Sequence, residues 1–391
     1  MRTEVVIIGA GPAGLLLSHL LAADGVDSIL LESRSRAHVG ARIRAGVLEQ
    51  SSVDVLTAAG LGDRLKAEGG EHRGIYLTWP DDEVFIDFEE LTGRSTVVYG
   101  QAEVQKDLDA AAQRRGQQIV YEVSDTRVHD VDSDSPYVTY LDADGAPGRV
   151  EAAVVAGCDG SFGPSRSAVP EAVRTRFERV YPHSWLGVLA QVAPSTDHVR
   201  YAWHSDGFAM HSMRSSSVSR LYLQVPNGTD LADWSDDRIW ETLSHRLGSG
   251  RRGFHLTSGP ITEKSVLPMR SLVQTPMRHG QLFLAGDAAH ILPPTGAKGL
   301  NLAIADVALL APALVSLLRK DDHVLAESYS DLALRRVWRA THFAWWMTDM
   351  LHTGSDPFAA QLQLSQLRWL ASSHAARTGL AENFAGLSLH I

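Results

Sequence analysis

Two short apolar segments near the start of the chain flank a glycine-rich turn and an apolar helical stretch. Val5–Ile8 is continuously apolar, which is typical of a strand buried on both faces of a parallel sheet. The helical stretch Leu15–Ala23 follows the turn, and a second apolar strand, Ser28–Leu31, ends at Glu32. The pattern therefore predicts a βαβ unit at the start of an α/β fold.

The turn in this unit has the glycine spacing of a dinucleotide-binding fingerprint. Gly9 suits a tight turn, Gly11 lets the backbone approach a pyrophosphate, and Gly14 lets helix and strand pack closely. Glu32 supplies the acid that binds ribose hydroxyls. Because both strands are in place, we predict a nucleotide site here. The motif alone does not distinguish FAD from NAD.

Two later apolar strands also end in glycine and aspartate. Ala153–Gly157 leads into Asp159, and Leu282–Ala285 leads into Gly286-Asp287, a Pro-Pro turn and a long apolar helix that starts near Gly299. Asp287 can accept hydrogen bonds from a polyol, and a helix N-terminus carries about half a unit of positive charge. This late segment therefore predicts a site for a polar, partly anionic group.

Composition and charge limit the classes of function. The chain has 391 residues, 44% hydrophobic and 21% charged, which suits two or three packed units. The net charge of −10 argues against a nucleic-acid partner, and no metal ligand set is expected. The single cysteine, Cys158, excludes an internal disulfide framework and fits a reducing cytoplasm. The apolar stretch Leu300–Leu318 contains Asn301, Asp306 and Pro312, so we predict a buried helix and no membrane span.

Two arginines, Arg42 and Arg44, precede a predicted helix. Arginine suits phosphate because its planar guanidinium donates two parallel hydrogen bonds. A solvated helix start is the alternative, and it is a better explanation for Arg42 than for Arg44.

A serine-rich turn separates two extended segments, Phe208–Arg214 and Ser219–Pro226. A hairpin centred near Ser217 would pair Arg214 with Arg220, Ser212 with Tyr222, and Met210 with Gln224. Strand alternation then places one polar set on a single face: Ser212, Arg214, Tyr222 and Gln224. Such a face could bind a carboxylate or could simply face solvent.

Several motifs resemble those of the single-component FAD-dependent aromatic hydroxylases. They are the fingerprint, the middle Asp-Gly and late Gly-Asp, together with Arg42–Gln50, Val98–Gln101, Pro293–Asn301 and Trp345–Met347. The match runs nearly end to end. It implies a Rossmann-like FAD domain (1–72, 98–178, 268–350), an inserted mixed-sheet substrate domain (73–97, 179–267) and a C-terminal helical region (351–391) that supports a homodimer.

The resemblance implies FAD as cofactor, NADH or NADPH as co-substrate, and hydroxylation of 4-hydroxybenzoate by O2 at the 3-position. It assigns FAD contacts to Gly9, Gly11, Gly14, Glu32, Arg42, Arg44, Gln101, Asp159, Asp287, Gly299, Leu300 and Asn301. It assigns NAD(P)H contacts to Arg44, Arg166 and Arg270.

The resemblance also implies a substrate site. Ser212, Arg214 and Tyr222 match the residues that bind the carboxylate. Tyr201 matches the tyrosine that hydrogen-bonds the phenolic oxygen, and His72 matches the histidine at the end of the proton path. Pro294 and Thr295 match the wall that positions the ring.

The chain departs from the family at two places. Phe384 stands where the family has a second tyrosine of the proton path, so we expect a weaker relay and room for a second ring substituent. Ser33 and Phe162 replace an arginine and a histidine of NADPH-using members, which favours NADH or dual use. The alternatives are hydroxylation of 3,4-dihydroxybenzoate or 4-aminobenzoate, a non-oxygenating FAD reductase, and a flavin-binding protein without catalysis.

Overall fold

The computed structural model describes residues 1–41, 46–248 and 250–386, and the structural statements below concern these residues. The strands are β1 (Val5–Ile8), β2 (Ser28–Leu31), β3 (Val47–Glu49), β4 (Gly70–His72), β5 (Gly74–Trp79), β6 (Asp82–Asp87), β7 (Thr96–Val98), β8 (Ile119–Val120), β9 (Ser124–His129), β10 (Tyr137–Leu141), β11 (Pro147–Glu151), β12 (Val154–Gly157), β13 (Thr175–Ala190), β14 (Val199–Ala202), β15 (Ala209–Ser215), β16 (Val218–Pro226), β17 (Ile261–Thr275), β18 (Arg278–His279), β19 (Leu282–Leu284) and β20 (His290–Ile291). The α-helices are α1 (Pro12–Ala23), α2 (Arg36–Ala41), α3 (Gln50–Ala58), α4 (Gly62–Glu68), α5 (Phe88–Thr92), α6 (Gln101–Arg114), α7 (Ser165–Ala168), α8 (Asp236–Leu247), α9 (Gly299–Lys320), α10 (Val324–Leu351), α11 (Pro357–Ser372) and α12 (His374–Ala385).

A six-stranded sheet brings the predicted nucleotide motifs to one edge. Its order is β18-β19-β12-β1-β2-β8, and β1 pairs in parallel with both β2 and β12. β12 in turn pairs in parallel with β19. The carboxyl ends of parallel strands lie at the same edge, so Gly9, Asp159 and Gly286 meet there. The predicted strands are confirmed.

An eight-stranded mixed sheet forms the second layer, in the order β20-β17-β13-β16-β15-β14-β5-β6. β13 and β17 are 16 and 15 residues long and pair antiparallel along most of their length. Together these sheets confirm the predicted α/β fold with an inserted mixed sheet. The two long strands pass through the predicted domain boundaries at 178/179 and 267/268, so both parts of the fold share them.

The predicted register of the serine-rich hairpin is wrong by two residues. Ser212 pairs with Arg220, not with Tyr222. The turn is shorter than predicted, since only Ser216 and Ser217 lie between the strands, and the register shifts at Arg214. The extra residue of this β-bulge cannot be found by counting from a turn centre. Because the shift is even, Ser212 and Tyr222 still share a face.

The apolar helix α9 packs against α1 and α10 in the core of the nucleotide-binding part. Of the described helices, α9 has the length and apolar character that could span a membrane, yet 67% of its most apolar 18-residue window is buried inside the fold. This agrees with the predicted buried helix. The C-terminal helices α10–α12 cover the other core, where Met347, Leu367 and Leu380 pack near Trp185 of the large sheet.

Candidate active site

The three glycines of the first turn have different surroundings. Gly9 has φ +103°, and a Cβ there would collide with the carbonyl oxygen of Cys158, the residue that follows β12. A Cβ on Gly14 would collide with the carbonyl oxygen of Gly9. A Cβ on Gly11 would meet no described heavy atom within 4 Å. Gly9 and Gly14 therefore serve the packing of the fold, whereas Gly11 borders open space large enough for a ligand to approach.

The N-terminus of α1 has N–H groups that could bind an anion. Gly11 is its N-cap and provides no capping side chain, so the first N–H groups of the helix stay available. The buried Glu32 carboxylate accepts hydrogen bonds from the Ala10 amide (2.7 Å) and the Arg34 amide (2.9 Å). Gln105 donates to the Ala10 carbonyl at 3.0 Å, and its buried Oε1 has no partner among the described residues. The sequence pointed to Gln101, which begins α6, and missed Gln105.

Arg166 joins the middle and late acidic turns. Its guanidinium donates to the carbonyl oxygens of Asp287, Ala288 (2.8 Å) and Ser161 (3.3 Å). Asp159 lies beside it, and its Oδ2 accepts from the Ser165 amide at 2.8 Å. Burial raises the pKa of Asp159, whose Oδ1 has no partner among the described residues. The Ser161 hydroxyl approaches Asp287 Oδ2 at 3.4 Å.

A buried ion pair, missed by the sequence reasoning, supports the late turn from behind. Asp306 on α9 accepts hydrogen bonds from the Gly286 amide (2.8 Å) and from His290 Nε2 (2.6 Å) through the same carboxylate oxygen. Although burial opposes the charged imidazole, the Asp306 carboxylate raises the pKa of His290. An acid inside an apolar helix was the available signal, because buried carboxylates are paired.

The start of α9 is tied to β3 by side-chain hydrogen bonds. Asn301 donates to the carbonyls of Val47 and Ala297 and accepts from the Glu49 amide and the Ser52 hydroxyl. Its neighbours Gly299 and Leu300 form the first turn of the helix.

The N-cap of α9, Lys298, also reaches β3. Lys298 Nζ lies 2.6 Å from Glu49 Oε1 and donates to the Phe384 carbonyl at 3.0 Å. Burial lowers the pKa of Lys298. The preceding segment, with Arg42 and Arg44, lies outside the described residues.

The two ends of the predicted substrate site lie on one face of the large sheet. Tyr201 on β14 is buried, and its hydroxyl donates to the Thr295 carbonyl at 3.1 Å, next to Pro294. Burial, together with the nearby Tyr222, raises the pKa of Tyr201. The Thr295 hydroxyl lies 2.9 Å from the Thr348 hydroxyl, which fixes the turn to α10.

The predicted carboxylate-binding residues are close to one another. The Ser212 hydroxyl donates to the Arg220 carbonyl at 2.9 Å, and Arg220 Nε donates to the Tyr222 hydroxyl at 3.2 Å. The Arg214 guanidinium packs on Gly100, where any Cβ would collide with it, and burial lowers its pKa. Arg220 was not singled out from the sequence. It shares the polar face because it pairs directly with Ser212.

His72 and Phe384 differ in their relation to Tyr201. Phe384 stacks on Phe88 with ring centroids 4.9 Å apart and approaches Tyr201 edge-on at 6.3 Å. His72 ends β4, and its ring contacts that of His198 at 5.6 Å. Burial, followed by the nearby His198, lowers the pKa of His72 to about 4.

Arg270 lies at the surface of β17. Its Nη1 is 3.4 Å from Glu178 Oε1, and its guanidinium lies 5.7 Å from the centre of the Phe162 ring. Phe162 is 92% exposed, which is unusual for a large apolar side chain. The surface around the middle Asp-Gly turn therefore offers an aromatic face beside a cation.

Comparisons with known proteins identify the same family and fold. Residues 2–344 match the model of the FAD binding domain family. Over its full length the chain is 45% identical to p-hydroxybenzoate hydroxylase of Acinetobacter baylyi and covers 97% of that protein. It is 24% identical to a probable NADH-specific resorcinol 4-hydroxylase of Rhodococcus jostii, over 83% of this chain and 61% of that protein.

Solved structures with low sequence identity share the architecture. A p-nitrophenol 4-monooxygenase from Pseudomonas putida superposes with a TM-score of 0.81 at 18% identity, covering 98% of this chain and 99% of that one. Aklavinone-11 hydroxylase, solved with FAD and aklavinone, gives a TM-score of 0.74 at 20% identity over 90% of this chain and 69% of its own. At these identities the likeness is one of fold.

Proposed function

Because this chain belongs to the family of FAD-dependent aromatic hydroxylases, we propose that it converts 4-hydroxybenzoate to 3,4-dihydroxybenzoate, with NADH or NADPH as reductant and O2 as oxidant. The observation that carries the proposal is the buried polar face that joins Tyr201 to Tyr222, beside the turn at Pro294. One end of this face offers a guanidinium and hydroxyls, and the other offers a phenol. A 4-hydroxybenzoate anion has the complementary groups at its two ends.

The carboxylate end would be held by Arg214, Ser212 and Tyr222. The Arg214 guanidinium is partly buried, so a charge-assisted hydrogen bond to an anion at its side would be stronger than at the surface. The Ser212 hydroxyl can turn from the Arg220 carbonyl towards the ligand. Arg220 fixes the Tyr222 hydroxyl and adds positive charge to the same face.

The phenol end would contact Tyr201. Ring hydroxylation needs an electron-rich ring, and a phenolate is far more nucleophilic than a phenol, so the protein must remove the proton of the 4-hydroxyl. The raised pKa keeps Tyr201 protonated, so it can donate a hydrogen bond to the phenolate oxygen in place of its bond to the Thr295 carbonyl. With a pKa of about 4, His72 is neutral near pH 7, so at the end of the path it would pass a proton on without retaining it.

The residues around the parallel sheet edge fit FAD. Gly11 and the uncapped start of α1 would hold the pyrophosphate, Glu32 the ribose, and Asp287 the ribityl chain, while the start of α9 supplies positive charge for the reduced ring system. When bound, FAD accepts hydride from the nicotinamide and activates O2. The Pro294–Thr295 turn packs on α10 and excludes water from the ring to be hydroxylated.

For the nicotinamide donor we propose NADH or dual use. Ser33 gives no cation for a 2′-phosphate directly after Glu32. Arg270 and the exposed Phe162 offer a surface on which a nicotinamide or adenine ring could stack. Arg166 is engaged with three carbonyls of the flavin-side turns, which makes it a support for those turns as well as a candidate contact. We further propose a cytoplasmic homodimer.

One experiment tests the proposal against its alternatives. The purified FAD-loaded enzyme is given a panel of benzoates, and oxidation of NADH and NADPH, O2 consumption and product mass are recorded together. We expect 4-hydroxybenzoate to give one O2 per reductant and a product heavier by one oxygen. If the enzyme prefers 3,4-dihydroxybenzoate or 4-aminobenzoate, that compound takes the place of 4-hydroxybenzoate as the proposed substrate. The first of these is the one that the smaller Phe384 side chain would favour. Reductant oxidation without oxygen transfer would refute hydroxylation.

A further inference from the structure

A group of metal-ligating side chains lies on the large sheet, apart from the residues assigned to FAD and substrate. His204 and Asp206 belong to the connection between β14 and β15, and His245 lies in the last turn of α8. Asp206 Oδ2 is 3.1 Å from His245 Nε2 and 3.5 Å from His204 Nδ1. One ligand atom from each residue lies within 4.8 Å of the other two. The two imidazole rings are 4.5 Å apart.

These separations suit a tetrahedral metal ion. Bonds of about 2.0–2.1 Å at a tetrahedral angle place neighbouring ligand atoms about 3.3 Å apart. The two distances from Asp206 fall on either side of that value. His204 Nδ1 accepts a hydrogen bond from the Asp206 amide at 3.1 Å, and a metal would replace this bond. Asp206 and His245 are both exposed, so their side chains can rotate to bring the three ligand atoms around one ion. A cavity of about 30 Å³ borders His204 and His245 and can hold a water as fourth ligand.

The types of ligand favour a transition metal over Mg²⁺ or Ca²⁺. Two imidazoles and one carboxylate are ligands that Zn²⁺ prefers, whereas the hard cations need mostly oxygen. Arg246 and Arg251 lie nearby and oppose any cation.

We propose that His204, Asp206 and His245 form a binding site for Zn²⁺ or a similar divalent transition metal, with water completing the coordination. The metal would join the connection that follows β14 to α8, whose packing otherwise depends on Ile239 and Leu243 in the outer core. The site takes no part in hydroxylation. Its role is to hold the connection that follows β14, the strand that carries Tyr201.

Calorimetric titration of ZnCl2 into the chelator-treated, FAD-loaded enzyme tests this proposal. We expect one saturable site per chain. His245→Gln and Asp206→Asn should each weaken its affinity about tenfold or more while leaving the unfolding temperature of the metal-free protein unchanged. His323→Gln is the matched control, since His323 faces Asp321 at 3.3 Å on the surface and the two belong to no group of three metal-ligating side chains among the described residues. This control should bind Zn²⁺ like the wild type.

A second readout uses Co²⁺. Absorption bands between the flavin spectrum and the far red indicate a four-coordinate ion, and they should be absent in His204→Gln. The proposal is overturned if the wild type shows no saturable Zn²⁺ site or if His323→Gln weakens binding as much as His245→Gln. It is also overturned if Asp206→Asn binds as tightly as the wild type, because the carboxylate would then not be a ligand.

Discussion

Alanine in place of Gly9 and alanine in place of Gly11 should have different effects, because the two glycines have different surroundings. Gly11→Ala should leave the fold intact and weaken FAD binding, whereas Gly9→Ala should unfold the nucleotide-binding part. At Gly11 the backbone has φ −72°, which alanine adopts readily, and the new Cβ meets no described atom within 4 Å. At Gly9 the φ of +103° and the collision with the Cys158 carbonyl both oppose a side chain.

The expected magnitudes follow from these geometries. In Gly11→Ala the less flexible unfolded chain stabilises the fold, whereas alanine as a poorer N-cap destabilises it. Because the two effects oppose each other, the free energy of unfolding should change by less than about 1 kcal/mol. A methyl group there would hold a pyrophosphate away from the N–H groups at the start of α1. Each charge-assisted hydrogen bond contributes at least about 1.5 kcal/mol. Losing two of them should lower the affinity for FAD about a hundredfold.

The assay separates stability from binding. Thermal unfolding of the cofactor-free proteins gives the first quantity, and quenching of FAD fluorescence on titration with protein gives the dissociation constant. Gly11→Ala should match the wild type in the first and lose about two orders of magnitude in the second. Gly25→Ala is a control with positive φ (+71°) in a surface turn away from the ligand, and it should leave FAD affinity unchanged.

Wild-type FAD affinity in a folded Gly11→Ala protein would refute the reasoning. It would mean that the pyrophosphate does not approach α1, and the assignment of Glu32 to the ribose would then also be lost. A strong loss of stability in Gly11→Ala would contradict the open space at this position.

Three further predictions concern substrate and pH. Phe384→Tyr should place a hydroxyl near Tyr201, restore a second proton carrier and raise turnover of 4-hydroxybenzoate relative to 3,4-dihydroxybenzoate; an unchanged ratio of rates would contradict this. Arg214→Lys should raise the KM for the benzoate about tenfold to a hundredfold because lysine cannot donate two parallel hydrogen bonds, and steady-state kinetics would show it; an unaltered KM would exclude Arg214 as carboxylate ligand. His72 is neutral in the fold with a pKa of about 4 against 6.5 unfolded, so it contributes stability above pH 6.5 that is lost between pH 6.5 and 4. In His72→Gln the free energy of unfolding should therefore fall by about 3 kcal/mol less between pH 6.5 and 4, as measured by denaturant unfolding. The same fall in the wild type and in His72→Gln would refute the lowered pKa of His72.

The sheet edge was predictable because local patterns determined each part of it. An apolar run that ends in glycine and an acid indicates a buried strand and the turn after it, and parallel pairing places all such ends at one edge. Gly9, Asp159 and Gly286 meet for this reason, without any knowledge of long-range contacts. The hairpin register was not predictable, since the bulge at Arg214 depends on how β15 and β16 pack and not on the turn sequence.

Residues that act through tertiary contacts gave only indirect signals. Asp306 stood out as an acid in an apolar helix, and that fact served only to argue against a membrane span. The structure pairs it with His290 and the Gly286 amide. His204 and His245 are 41 positions apart and show no metal-binding spacing; only the packing of α8 on the sheet brings them together.

Arg166 shows how one charged side chain can link two predicted sites. The resemblance assigned it to the nicotinamide donor, and its guanidinium holds the carbonyls of Asp287 and Ala288. Asp306 holds the Gly286 amide from the other side, so the turn assigned to the flavin is fixed by a cation at its carbonyls and an anion at its N–H. Each group matches the partial charge it meets, so both contacts stabilise this conformation of the turn. If a nicotinamide donor binds at the surface near Arg270, the flavin-side turn beside it is held by Arg166 and Asp306 before the donor arrives, which favours a defined distance between the two rings.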